Sequence, residues 1–140
     1  MEMKVLGLDE TLQNLRKYIV DEAIENEALK KAGKVTQEAV IEEAPIDNRN
    51  PPDHASLHKN IKVSRPRDGE VKVHTGGAYH AHLVEDGRSG GSAVVIKNGK
   101  RQRVTWGPTS PNPFFSRGFG KSNIPARQAM VDELKKGLDL

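Results

Sequence analysis

Apolar side chains recur at steps of three and four residues in the first third of the chain. The series is Leu12, Leu15, Ile19, Ala23 and Ile24. The same face continues through residues 28–40. Such spacing is typical of an amphipathic helix, which we expect to begin after Asp9, a good N-cap residue, and to end at Pro45. A helix over 9–43 would be about 50 Å long at a rise of 1.5 Å per residue, so part of it is expected to pack on another subunit.

Gly33 is the weak point of this predicted helix. A glycine inside a helix costs about 1 kcal/mol relative to alanine, because it loses more backbone freedom on folding. We therefore expect a kink or a break at this position.

Alternating apolar and polar residues predict short strands after the long helix. Residues 57–64 and 70–74 alternate on either side of an Asp-Gly turn, which indicates an antiparallel hairpin. Residues 3–7 favour a short strand or an extended lead-in to the helix. The sequence thus predicts a small antiparallel sheet.

A second hairpin has the clearest signal in the chain. Residues 93–96 and 103–106 flank Asn98-Gly99, and this pair supplies the positive backbone angles that a tight turn needs. We expect residues 88–106 to form a loop followed by this hairpin.

The remaining segments complete the predicted architecture. Residues 79–85 favour a short helix that Gly87 could terminate, whereas 46–56 and 107–123 are expected to be a loop and an irregular segment. A C-terminal helix is expected to begin near Pro125. The predicted fold class is α+β, a long N-terminal helix packed on a small antiparallel sheet of hairpins with a C-terminal helix, in a single domain over residues 1–140.

Composition narrows the kind of protein. Only 35% of the residues are hydrophobic and 4% are aromatic, so we expect a thin core and stability borrowed from neighbouring subunits. The absence of cysteine excludes disulfides and thiol chemistry. The sequence shows no apolar stretch of membrane-spanning length and no signal peptide, so no membrane association is expected.

The charges are distributed unevenly. Residues 9–43 carry nine acidic and five basic side chains, whereas no acid occurs from 87 to 131. Eight basic residues lie in that second segment: Arg88, Lys97, Lys100, Arg101, Arg103, Arg117, Lys121 and Arg127. Four of them surround the Asn-Gly turn, which is either a solvated hairpin tip, a contact with the acidic half of a neighbouring copy, or a loop that DNA slides past.

The sequence offers little support for catalysis. His74, His80 and His82, with Glu85, are residue types that bind zinc or iron, but their spacing matches no established metal signature, and on a helix the second and third histidines would point apart. The glycine-rich residues 87–92 lack the Gly-Lys-Ser/Thr ending of a phosphate-binding loop, and Ser56, Ser64 and Ser116 sit in no nucleophile elbow. We therefore predict no catalytic, cofactor-binding or metal site, and no cofactor.

Five short motifs follow one another in a fixed order. They are Val-x-Gly-Leu-Asp-x-x-Leu at 5–12, Glu-x-Ala-Pro at 42–45, Leu-x-x-Ser-Ile at 57–61, Tyr-Ala-x-x-Val-Glu-x-Gly at 79–87, and Pro-x-Pro-Phe-Phe before a final helix at 111–138. In this order they resemble the neck or tail-completion proteins, including tail terminators, that join head to tail in long-tailed bacteriophages and prophages. The resemblance covers most of the chain.

The chain also departs from that pattern. Asn60 stands where serine is usual, and His80 is inserted in the fourth motif. A longer loop, 48–56, replaces the usual Thr-Gly, and the hairpin at 93–106 is longer than the usual connection. These departures affect the loops, and hence which neighbour each loop contacts.

The resemblance implies a late structural protein rather than an enzyme, located in the virion neck after assembly in the host cytoplasm. Its expected partners are further copies in a sixfold or twelvefold ring, the connector or head-closure proteins, the tail tube or tail terminator, and passing genomic double-stranded DNA. The candidate lumen or inter-subunit contacts are Arg88, Lys97, Lys100, Arg101, Arg103, Arg117 and Lys121. The alternatives are a sequence-independent DNA-binding protein and a metal-dependent hydrolase with histidine ligands.

Overall fold

The computed structural model describes residues 1–5, 22–46 and 56–139. Its elements, in chain order, are β1 (Glu2–Val5), α1 (Glu22–Glu43), α2 (Leu57–Asn60), β2 (Lys62–Val63), β3 (Val71–His74), α3 (Ala81–Asp86), β4 (Gly91–Lys97), β5 (Lys100–Trp106) and α4 (Phe114–Gly137). Helices and small antiparallel sheets confirm the predicted α+β class. The predicted helix start at Asp9 and most of the loop at 46–56 lie outside the described residues.

The described chain divides into two compact units. Unit 1 comprises Met1–Tyr79 and Phe114–Leu140, and unit 2 comprises His80–Pro113. The single domain over 1–140 stays a prediction, and each unit is described separately below.

Two antiparallel helices form the core of unit 1. In α4 the buried residues recur every four positions: Phe114, Gly118, Ser122, Ala126, Met130 and Leu134. This stripe packs on α1, where Leu29, Thr36 and Val40 are buried. Small residues at the crossing let the two backbones approach closely.

A buried hydroxyl pair lies between these helices. The Ser122 Oγ lies 3.0 Å from the Phe119 carbonyl and 3.1 Å from the Thr36 Oγ1. Because a carbonyl can only accept, Ser122 donates to it and accepts from Thr36. Both buried hydroxyls are thereby paired.

The three-stranded sheet of unit 1 has the order β1-β3-β2, and both strand pairs are antiparallel. Val71 and Val73 of β3 are buried, and they alternate with the half-buried Lys72 and His74. Such alternation is expected of a strand with one face on the core.

Helix α1 continues through Gly33 without the expected break. It runs without interruption from 22 to 43, and Gly33 is buried in it. A Cβ on Gly33 would lie 2.8 Å from Val63 Cγ1 and 3.2 Å from Val71 Cγ2. The missing side chain therefore lets the helix approach the sheet.

Two further predictions about unit 1 were wrong. Residues 57–60 are a helical turn rather than part of a strand, because Leu57 and Ile61, four positions apart, are both buried. The irregular segment expected at 107–123 ends where α4 begins at Phe114, so Pro125 lies inside the helix instead of in its first turn. Burial of the four-residue stripe on both sides of Pro125 outweighs the hydrogen bond that proline cannot donate.

Unit 2 contains α3 and the hairpin β4–β5. The short helix predicted at 79–85 is confirmed as Ala81–Asp86, and Gly87 follows it with φ of 74°. The hairpin is also confirmed, since Asn98 and Gly99 have φ of 53° and 75°. Positive φ at both central residues is the signature of the turn that suits the twist of a two-residue hairpin.

Candidate assembly interface

The hairpin β4–β5 is exposed along its whole length. Every residue from 88 to 111 is exposed to solvent, and none belongs to the core. An isolated two-stranded sheet is only marginally stable in water. The hairpin therefore has two open faces on which a partner could pack.

The strand register decides which side chains share a face. Residues directly opposite one another lie on the same face, so the pairs alternate between the two sides of the hairpin. One side, here called the Trp106 face, carries Gly91, Ala93, Val95, Lys97, Lys100, Gln102, Val104 and Trp106. The other side, here called the arginine face, carries Ser92, Val94, Ile96, Arg101, Arg103 and Thr105.

Trp106 is the largest side chain on its face. Its indole Nε1 donates to the Ser89 carbonyl at 3.2 Å, and its ring covers Gly91 on the opposite strand. A Cβ on Gly91 would lie 3.0 Å from the ring. Glycine at this position therefore leaves room for the ring.

Lys97 and Lys100 lie directly opposite each other beside the turn. Like charges directly opposite each other in a sheet are destabilising. No ion pair involves either ammonium group in the part of the chain that the structure describes. The end of the Trp106 face therefore carries a concentrated positive charge.

The arginine face combines two arginines with two exposed apolar side chains, Val94 at 53% and Ile96 at 77%. Arg103 lies opposite Val94 and Arg101 opposite Ile96. Arg103 also donates from Nη1 to the Ser92 Oγ at 3.1 Å. Both arginines are exposed, so their charges are available to a partner on this face.

Arg88 lies below the hairpin, where the chain is joined by a backbone bridge. Its N–H donates to the Thr109 carbonyl at 3.0 Å, and the Thr109 N–H donates to the Arg88 carbonyl at 2.9 Å. Gly87 is needed beside this bridge, because a Cβ there would lie 2.6 Å from the Thr109 oxygen. The structure thus groups Arg88 with the four basic residues of the hairpin in unit 2.

Arg117 and Lys121 lie in unit 1, on α4. Both contact the carboxylate of Glu43 in α1: Arg117 Nε donates to Oε2 at 2.8 Å, and Lys121 Nζ bonds to Oε1. These hydrogen bonds, first from Lys121 and then from Arg117, hold the pKa of Glu43 below its usual range. Their intermolecular role stays a prediction, but within the chain they join the two helices.

Sequence reasoning overlooked Glu43. It lies in the last turn of α1, where no basic residue occurs and where the helix dipole disfavours an acid. An acid in that position indicates that cations from another element stabilise it. The signal could not say that the cations lie 74 and 78 residues further along the chain.

The four residues of the metal alternative do not form a cluster. The described residues contain no group of three or more His, Cys, Asp or Glu side chains that could hold a metal ion. His74 Nδ1 accepts a hydrogen bond from the Gly76 N–H at 3.1 Å. His82 and Glu85 lie on α3, and His80 precedes its first residue.

An α+β chain whose most accessible element is an open, two-faced hairpin has the features of a structural subunit. Residues 7–87 match the family model described as "Bacteriophage HK97-gp10, putative tail-component". The match covers more than half of the chain, and the chain belongs to this family of phage tail components. It is therefore a structural virion protein of the head–tail region.

The other comparisons add no relative. No curated protein and no solved structure matches the chain. The family match ends at Gly87, so the hairpin lies outside the matched residues. Within 1–5, 22–46 and 56–139, no helix combines the length and the apolar composition that a membrane crossing requires.

Proposed function

We propose that copies of this chain form a closed ring, sixfold or twelvefold, at the head–tail junction of the virion. The ring joins the connector or head-closure proteins to the tail tube or tail terminator and surrounds the DNA channel. Family membership supports a place in the head–tail region. The observation that carries the ring itself is the hairpin, whose two faces are exposed in a single chain.

A head-to-tail contact between different surfaces of neighbouring copies is the geometry that closes a ring. A hairpin with apolar side chains on both faces is suited to such a contact, because it gains stability when a neighbour covers it. The lean hydrophobic composition of the chain agrees with stability that depends on neighbours.

The positive charge of the hairpin supports a channel through which DNA passes. No acid occurs from 87 to 131, and the hairpin offers cations but no side chain arranged to read bases. Contacts between Lys or Arg and phosphates are independent of sequence and sensitive to salt. Such contacts suit a conduit, in which the duplex must move along its axis.

Deletion and complementation in the phage that encodes the chain test this function. Without the gene, lysates are expected to accumulate DNA-filled heads and separate tails, and the wild-type protein supplied from a plasmid should restore joined particles. Gold-labelled antibody should then mark the junction. Joined, infectious particles in the absence of the protein would overturn the proposal, as would labelling elsewhere on the virion.

A further inference from the structure

We propose that the Trp106 face of one copy docks on α1 of a second copy, with Lys97 and Lys100 against Glu38 and Glu42. This inference rests on the proposed ring and specifies its contact. It assigns a neighbour to the Trp106 face of the hairpin, which the amino-acid sequence alone could not do.

The exposed apolar side chains of the Trp106 face favour a protein as its partner. Val95, Val104 and Trp106 lie on this face and are 39%, 44% and 36% exposed. A duplex offers phosphates and sugars to a non-specific binder, and these groups cannot replace water around apolar side chains without cost. A protein surface can remove this apolar area from water and gain stability.

The positive charge at the end of this face favours a partner that carries carboxylates. Lys97 and Lys100 repel each other across the strands, and an acidic partner would relieve that repulsion. A partner that fits therefore combines apolar side chains with a pair of closely spaced acids.

Helix α1 of a second copy has this combination. Glu38 and Glu42 are exposed and lie one turn apart, so their like charges repel each other, and Glu42 also lies in the last turn, where the helix dipole disfavours an acid. Neither takes part in an ion pair within the described part of the chain. Ile46, three residues past the end of the helix, adds an apolar side chain that is 61% exposed.

The two surfaces therefore complement each other in both respects. Each carries a pair of like charges that is unfavourable in the single chain, and the two pairs have opposite sign. An exposed apolar side chain also accompanies each pair, Val104 on the hairpin and Ile46 after the end of the helix. Because the two surfaces differ, the contact is heterologous and can be repeated from copy to copy around a ring.

Cysteine cross-linking tests the contact without background from other cysteines of this chain, because the natural chain has none. The test chain carries Lys100→Cys with Glu42→Cys and is supplied to the phage that lacks the gene. Purified particles are treated with a short bismaleimide and separated on a denaturing gel. We expect a ladder of covalent oligomers that reaches the size of the ring.

The matched control carries Arg101→Cys with Glu42→Cys. Arg101 is the next residue along the strand but lies on the arginine face. We expect this chain to run mainly as a monomer under the same treatment, with at least a tenfold weaker ladder.

Three results would overturn the contact in particles that contain the protein. The first is a monomer band for the test chain, the second is equal ladders for test and control, and the third is a cross-link within one chain. Wild-type phage particles that do not contain this protein would instead overturn the proposed function. The two failures are therefore distinguishable.

Charge exchange provides an independent readout. Lys97→Glu with Lys100→Glu is expected to lower the titre of complemented phage at least tenfold, and Glu38→Lys with Glu42→Lys should do the same. Combining all four substitutions should restore most of the titre. Failure of the combination to improve on either pair, when all three proteins accumulate as soluble, folded chains, would contradict the contact.

Discussion

At the scale of single residues, Glu43 shows how a helix terminus can serve the tertiary fold. Its carboxylate is disfavoured by the dipole of its own helix, yet Arg117 and Lys121 from α4 both bind it. The ion pairs thus attach the end of one core helix to the beginning of the other.

Replacing this carboxylate should change stability in a way that depends on pH. The pKa of Glu43 is lowered in the folded chain, so its contribution is present above the unfolded pKa of about 4.3 and is lost as pH falls through the folded pKa. Glu43→Gln is therefore expected to be less stable than wild type in urea unfolding at pH 7. At pH 3 or below the difference should shrink. A difference that stays constant from pH 7 to pH 2.5 would contradict this.

Gly118 sets the closest approach of the two core helices. A Cβ there would lie 2.5 Å from Val40 Cα and 2.8 Å from Val40 N, which are backbone atoms that cannot turn aside. Gly118→Ala is expected to destabilise unit 1 by about 1–3 kcal/mol in urea unfolding, despite the higher helix propensity of alanine.

Gly120, two residues further along α4, provides the control. It is exposed, and nothing lies within 4 Å of a Cβ placed on it. Gly120→Ala should stabilise the chain by about 0.5–1 kcal/mol, because only helix propensity changes. Equal effects of the two substitutions would show that the helices do not pack as described.

At the scale of elements, the sequence predicted correctly those elements whose conformation is determined by their own residues. The Asn98-Gly99 turn was predictable because its backbone angles are a local requirement. Helix α4 was predicted too short at its N-terminus, because Gly118 and Gly120 look like loop residues until a packed neighbour is known. The break expected at Gly33 does not occur for the same reason: the glycine allows the helix to lie close to the sheet, and the sequence does not show that contact.

The candidate interface was predictable only in part. The sequence indicated the basic residues around the turn, and the hairpin itself was confirmed. Sequence alone did not separate the lysines from the arginines on opposite faces, because that requires the register of the two strands. It also could not reveal that Arg117 and Lys121 contact Glu43.

The hairpin contains the single tryptophan of the chain, which makes its structure directly measurable. Gly91→Val places a branched side chain beneath the indole ring, which should tilt away and lose its bond to the Ser89 carbonyl. We expect a red shift of the fluorescence emission and stronger quenching by acrylamide. Ser92→Val, on the opposite face, should leave both unchanged, and equal responses would contradict the assigned faces.

At the scale of the whole molecule, some charges are paired within the chain and others are available to partners. Part of the acidic charge of α1 is neutralised within the chain, where α4 supplies Arg117 and Lys121 to Glu43. The hairpin cations have no acid in the same hairpin. The positive charge available to other molecules is therefore concentrated on unit 2.

If the arginine face is turned toward DNA in the assembled ring, its charges should appear in the salt dependence of binding. Arg101→Gln with Arg103→Gln should lower the slope of log K against log salt by up to about 1.8 for linear duplex DNA, since each phosphate contact contributes about 0.9. Arg117→Gln is the control and should lower it less, because Glu43 already binds that guanidinium. An equal loss of slope in both would contradict this orientation of the face.

A cryo-electron microscopy reconstruction of the virion neck tests the central claim most directly. The account predicts a closed ring of this chain at the head–tail junction, with the duplex on its axis and each hairpin packed on helix α1 of the next copy. A reconstruction that shows the protein elsewhere in the virion, or single copies whose hairpins face bulk solvent, would contradict it.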